Sequence, residues 1–395
     1  MRRIAAKYLI PISSKPIRNG YVEINDDGVI CGIGEWDGQI MEGTDYYDGA
    51  VCPGFTNAHC HIELSHLKGY FKEATGMSGF INQINALRDN ASKEKRVREI
   101  EIEMNNLYLQ GVSAMGDISN SSDSFAIKSK SKLYTHSYIE LFGTIEDEAV
   151  KILEEGKKLK EEAERMGLDA SVTPHSCYTM SPKLLALSAK EGVKEGYISY
   201  HNQESEEEEE LVKSGTGALA ENYKGRNLPT PPITGKPALF YFVERLNSIS
   251  TSPVAGKIML VHNVATNQES IDCALRNIKE PYWTICPLSN LFIHRALPPI
   301  DMMRKNALTL CIGTDSLSSN KSLSMIEEIK CLKNHFGHIK LDELLTWATI
   351  NGANALGKGA VYGTFDKGKR PGIVFIENIT DEMELTPVSS SRRII

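Results

Sequence analysis

The sequence predicts an α/β fold: a (β/α)8 TIM barrel with a small composite β-sandwich domain drawn from both chain ends. Three observations lead there. Eight short apolar runs alternate with longer amphipathic stretches, which is the pattern of a parallel sheet buried on both faces. The runs from the first histidine pair to the last aspartate cover roughly 250 residues, the usual span of such a barrel. The two ends have a different texture, of short extended runs broken by turn residues. The expected division is residues 1–50 with 359–395 as the β-domain and 51–358 as the barrel.

Along the chain, Tyr8-Leu9-Ile10-Pro11-Ile12 and Gly20–Ile30 read as extended, and Asp26-Asp27-Gly28 within them is a hairpin signal. The expected barrel runs are Val51–Ala58, Val112–Asp117, Leu133–Tyr138, Asp169–His175, Tyr197–His201, Ile258–His262, Trp283–Pro287 and Leu308–Asp315. Helical periodicity fills Glu146–Met166, Pro182–Lys194, Asn267–Ile278 and Leu323–Phe336. Residues 215–237, rich in Gly and Pro, read as a loop after the fifth strand and as part of the pocket rim or a substrate lid. The tail returns to extended texture at Gly372-Ile373-Val374-Phe375-Ile376.

Composition excludes several classes. The 395 residues carry 44 Lys+Arg against 51 Asp+Glu, a net charge of −7, so no basic surplus exists for nucleic acid. Six of those acids are Glu204 and Glu206–Glu210, and the run from 206 reads as a solvated helix face. With 41% hydrophobic and 24% charged residues the chain is globular rather than disordered. No apolar stretch is long enough to span a membrane, and the first residues lack a secretory h-region. Eight scattered cysteines without a C-x-x-C pair fit reduced, buried thiols, and a cytoplasmic location is expected.

The chemistry gathers at strand ends. In His59-Cys60-His61 the two imidazoles share one strand face and Cys60 the other. His175, His201 and His262 also terminate runs, and Asp315 closes the eighth. Strand C-termini of a barrel converge at one mouth, so these residues meet there despite their separation in sequence. Imidazole with carboxylate suits zinc or ferrous iron, and a water bound to such an ion loses its proton near neutral pH. Glu204, three residues past His201, is close enough to carry a proton from water to a leaving group. His66, His136, His294, His335 and His338 are expected to be structural or exposed.

The segments Pro53–His61, His201-x-x-Glu204, Val261-His262-Asn263, Cys286-Pro287-Leu288-Ser289-Asn290 and Gly313-Thr314-Asp315-Ser316 together resemble the amidohydrolase superfamily. Within it the chain is similar to the branch of cytosine, guanine, S-adenosylhomocysteine and aminodeoxyfutalosine deaminases and triazine chlorohydrolases. The resemblance implies one divalent metal per chain, Zn2+ with Fe2+ as the alternative, held by His59, His61, His201 and Asp315. It implies that His262 polarises the attacked centre, Asp315 takes the proton of the attacking water and Glu204 protonates the ring nitrogen. The third and fourth strands end without the lysine that binuclear members need, which favours one metal. A homodimer is a family-level expectation.

Substrate contacts are expected from His175, in a Pro-His-x-x-Tyr segment, and from Glu63, in His61-Ile62-Glu63-Leu64-Ser65; each has a structural reading beside the functional one. Asn290 joins them as an expected contact. Leu288 stands where some relatives carry a polar residue, which weakens transfer of any one relative's substrate. The implied function is a metal-dependent aminohydrolase of an aminated heterocycle, a purine or modified adenine nucleoside, in which metal-bound hydroxide attacks and ammonia leaves. The alternatives are hydrolysis of a cyclic amide or a chloro-triazine ring, and a non-catalytic barrel scaffold.

Overall fold

Eight parallel strands form the centre of the molecule: Phe55–Cys60, Val112–Ser119, Tyr134–Leu141, Asp169–Pro174, Tyr197–Asn202, Lys257–His262, Tyr282–Ile285 and Thr309–Ile312. The computed structural model describes residues 1–38 and 43–395, so residues 39–42 of the expected β-domain lie outside the described residues. The strands pair in two sets of four. The sets join where the His201 amide donates to the His175 carbonyl (2.9 Å) and where the Thr314 and Asp315 amides donate to the His59 carbonyl (3.0 and 3.1 Å). Both seams therefore run through residues singled out above. At the second seam a side chain on Gly313 would lie 2.8 Å from the His59 oxygen, so only glycine lets the eighth strand approach the first.

The expected helices form with small shifts, as Ala149–Arg165, Pro182–Glu195, Gln268–Asn277 and Met325–His335. Their ends follow local chemistry. Ser181 accepts from the Leu184 amide ahead of Pro182, and left-handed Gly196 closes the same helix. Two helices that the sequence reading did not assign, Gly76–Leu87 and Lys93–Leu109, fill the connection between the first and second strands.

Residues 215–237 depart from expectation. Gly215 ends helix Glu206–Ser214 in the left-handed conformation, and Gly217–Gly225 is a further helix with Leu219 and Tyr223 buried one turn apart. The glycines are helix punctuation, which reads in sequence like loop. None of residues 215–237 lines the central cavity. Helix Gly217–Gly225 instead lies behind helix Gly76–Leu87, where Asn222 donates to Asn82 (2.8 Å) and Ser78 (3.1 Å).

The acidic run also departs from expectation: Glu206 and Glu210 are exposed, but Glu208 is fully buried with Leu211 and Val212. A helical period brings residues three and four apart onto one face, so a block of like charges wrapping a helix must turn a member inward.

The chain ends pair as one six-stranded mixed sheet, in the order Leu385–Arg393, Ile373–Ile379, Thr44–Pro53, Arg2–Leu9, Ile17–Ile24 and Ile30–Glu35. The predicted hairpin joins the last two, with Gly28 at φ 77° and the Asn25 side chain accepting from the amides of Asp27 and Val29. Strand Thr44–Pro53 leads directly into the first barrel strand. All eight cysteines are free thiols, and no helix among the described residues is long and apolar enough to cross a membrane.

Candidate active site

The first barrel strand is buried along its whole length, and His59 and His61 leave it toward the barrel mouth. His59 Nε2 and His61 Nε2 are 3.1 Å apart, and His201 Nε2 lies 3.4 Å from His61 Nε2. Asp315 Oδ1 is 3.5 Å from His61 Nε2 and 4.0 Å from His59 Nε2. Ligand atoms from the first, fifth, sixth and eighth strand ends thus form two overlapping groups, His59 with His61 and Asp315 and His59 with His201 and His262.

Positive φ angles mark these strand ends: Gln203 at 46°, His262 at 74°, Asn263 at 62° and Asp315 at 56°. Non-glycine residues adopt this left-handed backbone at a cost, and such residues persist where the surroundings hold them. Asn263 is held by its amide, which donates to the carbonyls of Leu260 (2.8 Å) and Thr284 (3.1 Å).

Around the cluster each side chain is oriented. Asp315 Oδ2 accepts from Ser289 (2.6 Å) and Ser319 (2.7 Å), leaving Oδ1 to the histidines. His201 Nδ1 lies 3.3 Å from Glu140 Oε1, on the side of the ring away from the Nε2 that faces His61. Burial, followed by the neighbouring rings, holds His59 and His201 well below the ordinary histidine pKa. Burial also lowers His262 to about 4. For Asp315 burial works upward, but His61, His262 and His59 outweigh it and hold the carboxyl at about 2.

This donor set fits a divalent metal. Burial keeps His59 and His201 neutral, and ring nitrogens of His59, His61 and His201 stand 3.1–3.4 Å apart, close enough for their lone pairs to share one cation. Ligands about 2.0–2.1 Å from zinc would stand roughly 3.3 Å apart at a tetrahedral edge, matching these separations.

Glu204 is buried, with Oε1 3.6 Å from His262 Nε2 and Oε2 accepting from the Tyr178 hydroxyl at 3.1 Å. Burial, then the charges of Asp315 and Glu208, raise its carboxyl well above the usual range, which favours its protonated form. It is an acid poised beside the cluster.

The three expected substrate contacts fare differently. His175 lines the cavity, stacked on His201 with ring centroids 4.4 Å apart and its Nδ1 tied to Ser176 and Thr179 (2.8 Å each). Glu63 does not line it. The chain turns after His61 into the 3-10 helix Ile62–Leu67, taking Glu63 off the strand face. Its carboxylate accepts from Arg88, the Asn120 amide and Ser121 instead. Asn290 is fully buried away from the cavity, and its Nδ2 donates to His262 Nδ1 at 3.0 Å. It orients a ring rather than facing the cavity, because the helix Pro287–His294 carries it behind His262.

The sequence reading missed Tyr178, Glu140 and the wall formed by helix Gly76–Leu87, from which Met77, Phe80, Ile81 and Ile84 line the cavity. Their i, i+3, i+4, i+7 spacing was the available signal. Arg88 continues this stripe; its Nη2 bonds Glu63 and Asn120. The cavity thus has an ionisable floor, an apolar wall and a cationic end.

Comparison with known proteins gives the same picture. A model of the amidohydrolase family matches residues 50–392. The chain is 25% identical over 386 residues to 5-methylthioadenosine/S-adenosylhomocysteine deaminase of Moorella thermoacetica, covering 93% of this chain and 84% of that protein. It is 26% identical over 319 residues to adenosine deaminase of Helicobacter pylori, covering 79% and 75%. The solved structure of Helicobacter pylori aminofutalosine deaminase with methylthio-coformycin shares the fold at a TM-score of 0.81 and 20% identity, over 98% of this chain and 94% of that one.

Proposed function

The chain belongs to the amidohydrolase family, and on that premise we propose that it is a metal-dependent deaminase of a purine or modified adenine nucleoside. The observation that carries this reading is the buried Glu204, its carboxyl raised by burial, 3.6 Å from His262 and beside the overlapping groups His59/His61/Asp315 and His59/His201/His262. The names of the two relatives above support the adenine nucleoside class.

In this reading His59, His61, His201 and Asp315 hold one divalent ion, zinc by donor type. When bound, it supplies Lewis acidity that makes water a nucleophile near neutral pH. The protein's own groups do the rest. Asp315, whose carboxyl is ionised, accepts the proton of the attacking water. His262, with Nδ1 occupied by Asn290, offers Nε2–H to the oxygen that adds to the amidine carbon. Glu204 gives its proton to the adjacent ring nitrogen; the proton taken by Asp315 then passes to the amino group, which leaves as ammonia while Glu204 takes the proton of the added hydroxyl as the carbonyl forms. Tyr178 fixes the acid's second oxygen. The base lies against His175, and the apolar stripe of helix Gly76–Leu87 receives the nucleoside's substituent.

Ammonia release from metal-loaded protein tests this against adenosine, methylthioadenosine, S-adenosylhomocysteine, aminodeoxyfutalosine and guanine. We expect turnover of at least one adenine nucleoside, lost on chelation. Silence of loaded protein across these substrates refutes the reading.

A further inference from the structure

Helix Glu206–Ser214 starts two residues beyond Glu204, and adjacent carboxylates in its first turn hold different backbone segments around the pocket. Glu208 turns back beneath the strand end. Its Oε2 accepts the Glu204 amide at 2.7 Å, and its Oε1 accepts the Gln203 amide at 3.2 Å and the Cys177 thiol at 3.2 Å. Gln203 is the left-handed residue of this turn. One carboxylate therefore grips both peptide groups that aim the Glu204 side chain at His262. Ser205 closes the loop by accepting the Glu208 amide at 3.2 Å.

Glu207 points the other way. Its two oxygens accept the amides of Met77 and Ser78, each at 2.9 Å, which are the first free donors of helix Gly76–Leu87. The fit is close: a side chain on Gly76, itself at φ 67°, would fall 2.2 Å from Glu207 Oε1. The helix so held carries Met77, Phe80, Ile81 and Ile84 to the cavity. Tyr178 links the same two parts, since its hydroxyl lies near both the Glu204 carboxyl and the Met77 sulfur.

We propose that Glu208 and Glu207 are positioning residues: Glu208 fixes the proton-transfer residue Glu204, and Glu207 fixes the substrate-facing wall. This rests on the deaminase reading above. The short acidic helix sets the distance between the reacting centre and the wall that seats the rest of the substrate. Loss of Glu208 then acts on the chemical step, and loss of Glu207 acts on substrate binding. Glutamine is the informative replacement at each site, because it keeps the shape and one acceptor but turns an NH2 toward the second amide.

The test uses metal-loaded full-length protein and the fastest nucleoside of the panel. Glu208→Gln is expected to lower kcat about 10- to 100-fold, the scale of a misplaced reacting group, with KM within threefold and metal content unchanged. Glu207→Gln is expected to raise KM about fivefold or more with kcat within threefold. Where Glu208→Gln is insoluble, Glu208→Asp, which withdraws both acceptors by one methylene, replaces it with the same expectation. Hydrogen exchange gives a readout independent of turnover: Gln203 and Glu204 amides lose protection in the first variant, Met77 and Ser78 in the second. Wild-type turnover with both variants at wild-type constants, or with both changing the same constant, overturns the proposal, as does unchanged protection. A silent wild type with the expected exchange pattern refutes the deaminase reading and leaves the two clamps standing.

Discussion

Replacing Asn290 by aspartate probes the tautomer on which the proposed chemistry depends. Asn290 Nδ2 donates to His262 Nδ1 at 3.0 Å, and both groups are buried. A ring that accepts at Nδ1 carries its proton on Nε2, the nitrogen 3.6 Å from Glu204 Oε1. Asn290→Asp keeps the shape but presents only acceptors, so the ring moves its proton to Nδ1 and turns a lone pair into the site. A donor to the developing oxyanion is then lost. Removal of one such donor elsewhere lowers kcat by about 10²–10³, equivalent to roughly 2.7–4 kcal/mol. We expect that loss in kcat for ammonia release at pH 8, with KM and metal content near wild type because neither substrate wall nor ligand set is touched. Asn290→Leu, which leaves the tautomer free, should lose less. The reasoning fails if the aspartate variant, fully loaded with metal, turns over within threefold of wild type.

Three further expectations follow from the geometry. Burial raises the Glu204 carboxyl well above the usual range, and an acid is lost as pH rises through its pKa, so kcat/KM should decline on the alkaline side; Glu204→Gln should lower kcat about 10²–10⁴-fold while retaining metal, and equal turnover by that variant would remove Glu204 from the mechanism. Chelation should abolish activity and lower the Tm, since a ligand held at about 1,000 times its Kd adds roughly 4 kcal/mol to stability, and an unchanged melting curve would contradict the converging histidines as a metal site. Lys128 is fully buried against Asp117 and donates to Ser119 (2.9 Å) and Ser137 (3.1 Å), so Lys128→Met should destabilise the fold by about 3–5 kcal/mol. Denaturant titration should show partial recovery in the double variant with Asp117→Asn, whose neutral amide no longer needs the cation.

Much of the site was legible because its residues sit at strand ends. Burial makes those strands largely apolar, so His59, His61, His201, His262 and Asp315 stand out as ionisable groups at the same end of successive runs. The eighth strand shows the limit of that reading: the run through Asp315 is regular only over Thr309–Ile312, and the chain then bends through Gly313 against His59. Glu63 and Asn290 lie off the cavity for a related reason. Each belongs to a promising motif, but its facing depends on whether the chain continues or turns. The turn after His61 takes Glu63 to Arg88 and Asn120, and helix Pro287–His294 takes Asn290 behind His262.

The alternation of strand and helix, the two β-textured ends and the residue types available for a metal and an acid are properties of local pattern. They follow from burial and from the periods of the two regular structures, and could be read from the chain alone. Which carboxylates serve the site was another matter. Glu204, Glu207 and Glu208 belong to one acidic stretch, yet one faces His262, one caps helix Gly76–Leu87 and one holds the turn between them. Identical side chains within four residues of one another diverge because helix direction and the packing of distant segments set what each meets. Only the folded chain brings residues 76–88 over the strand ends to make the wall of the cavity.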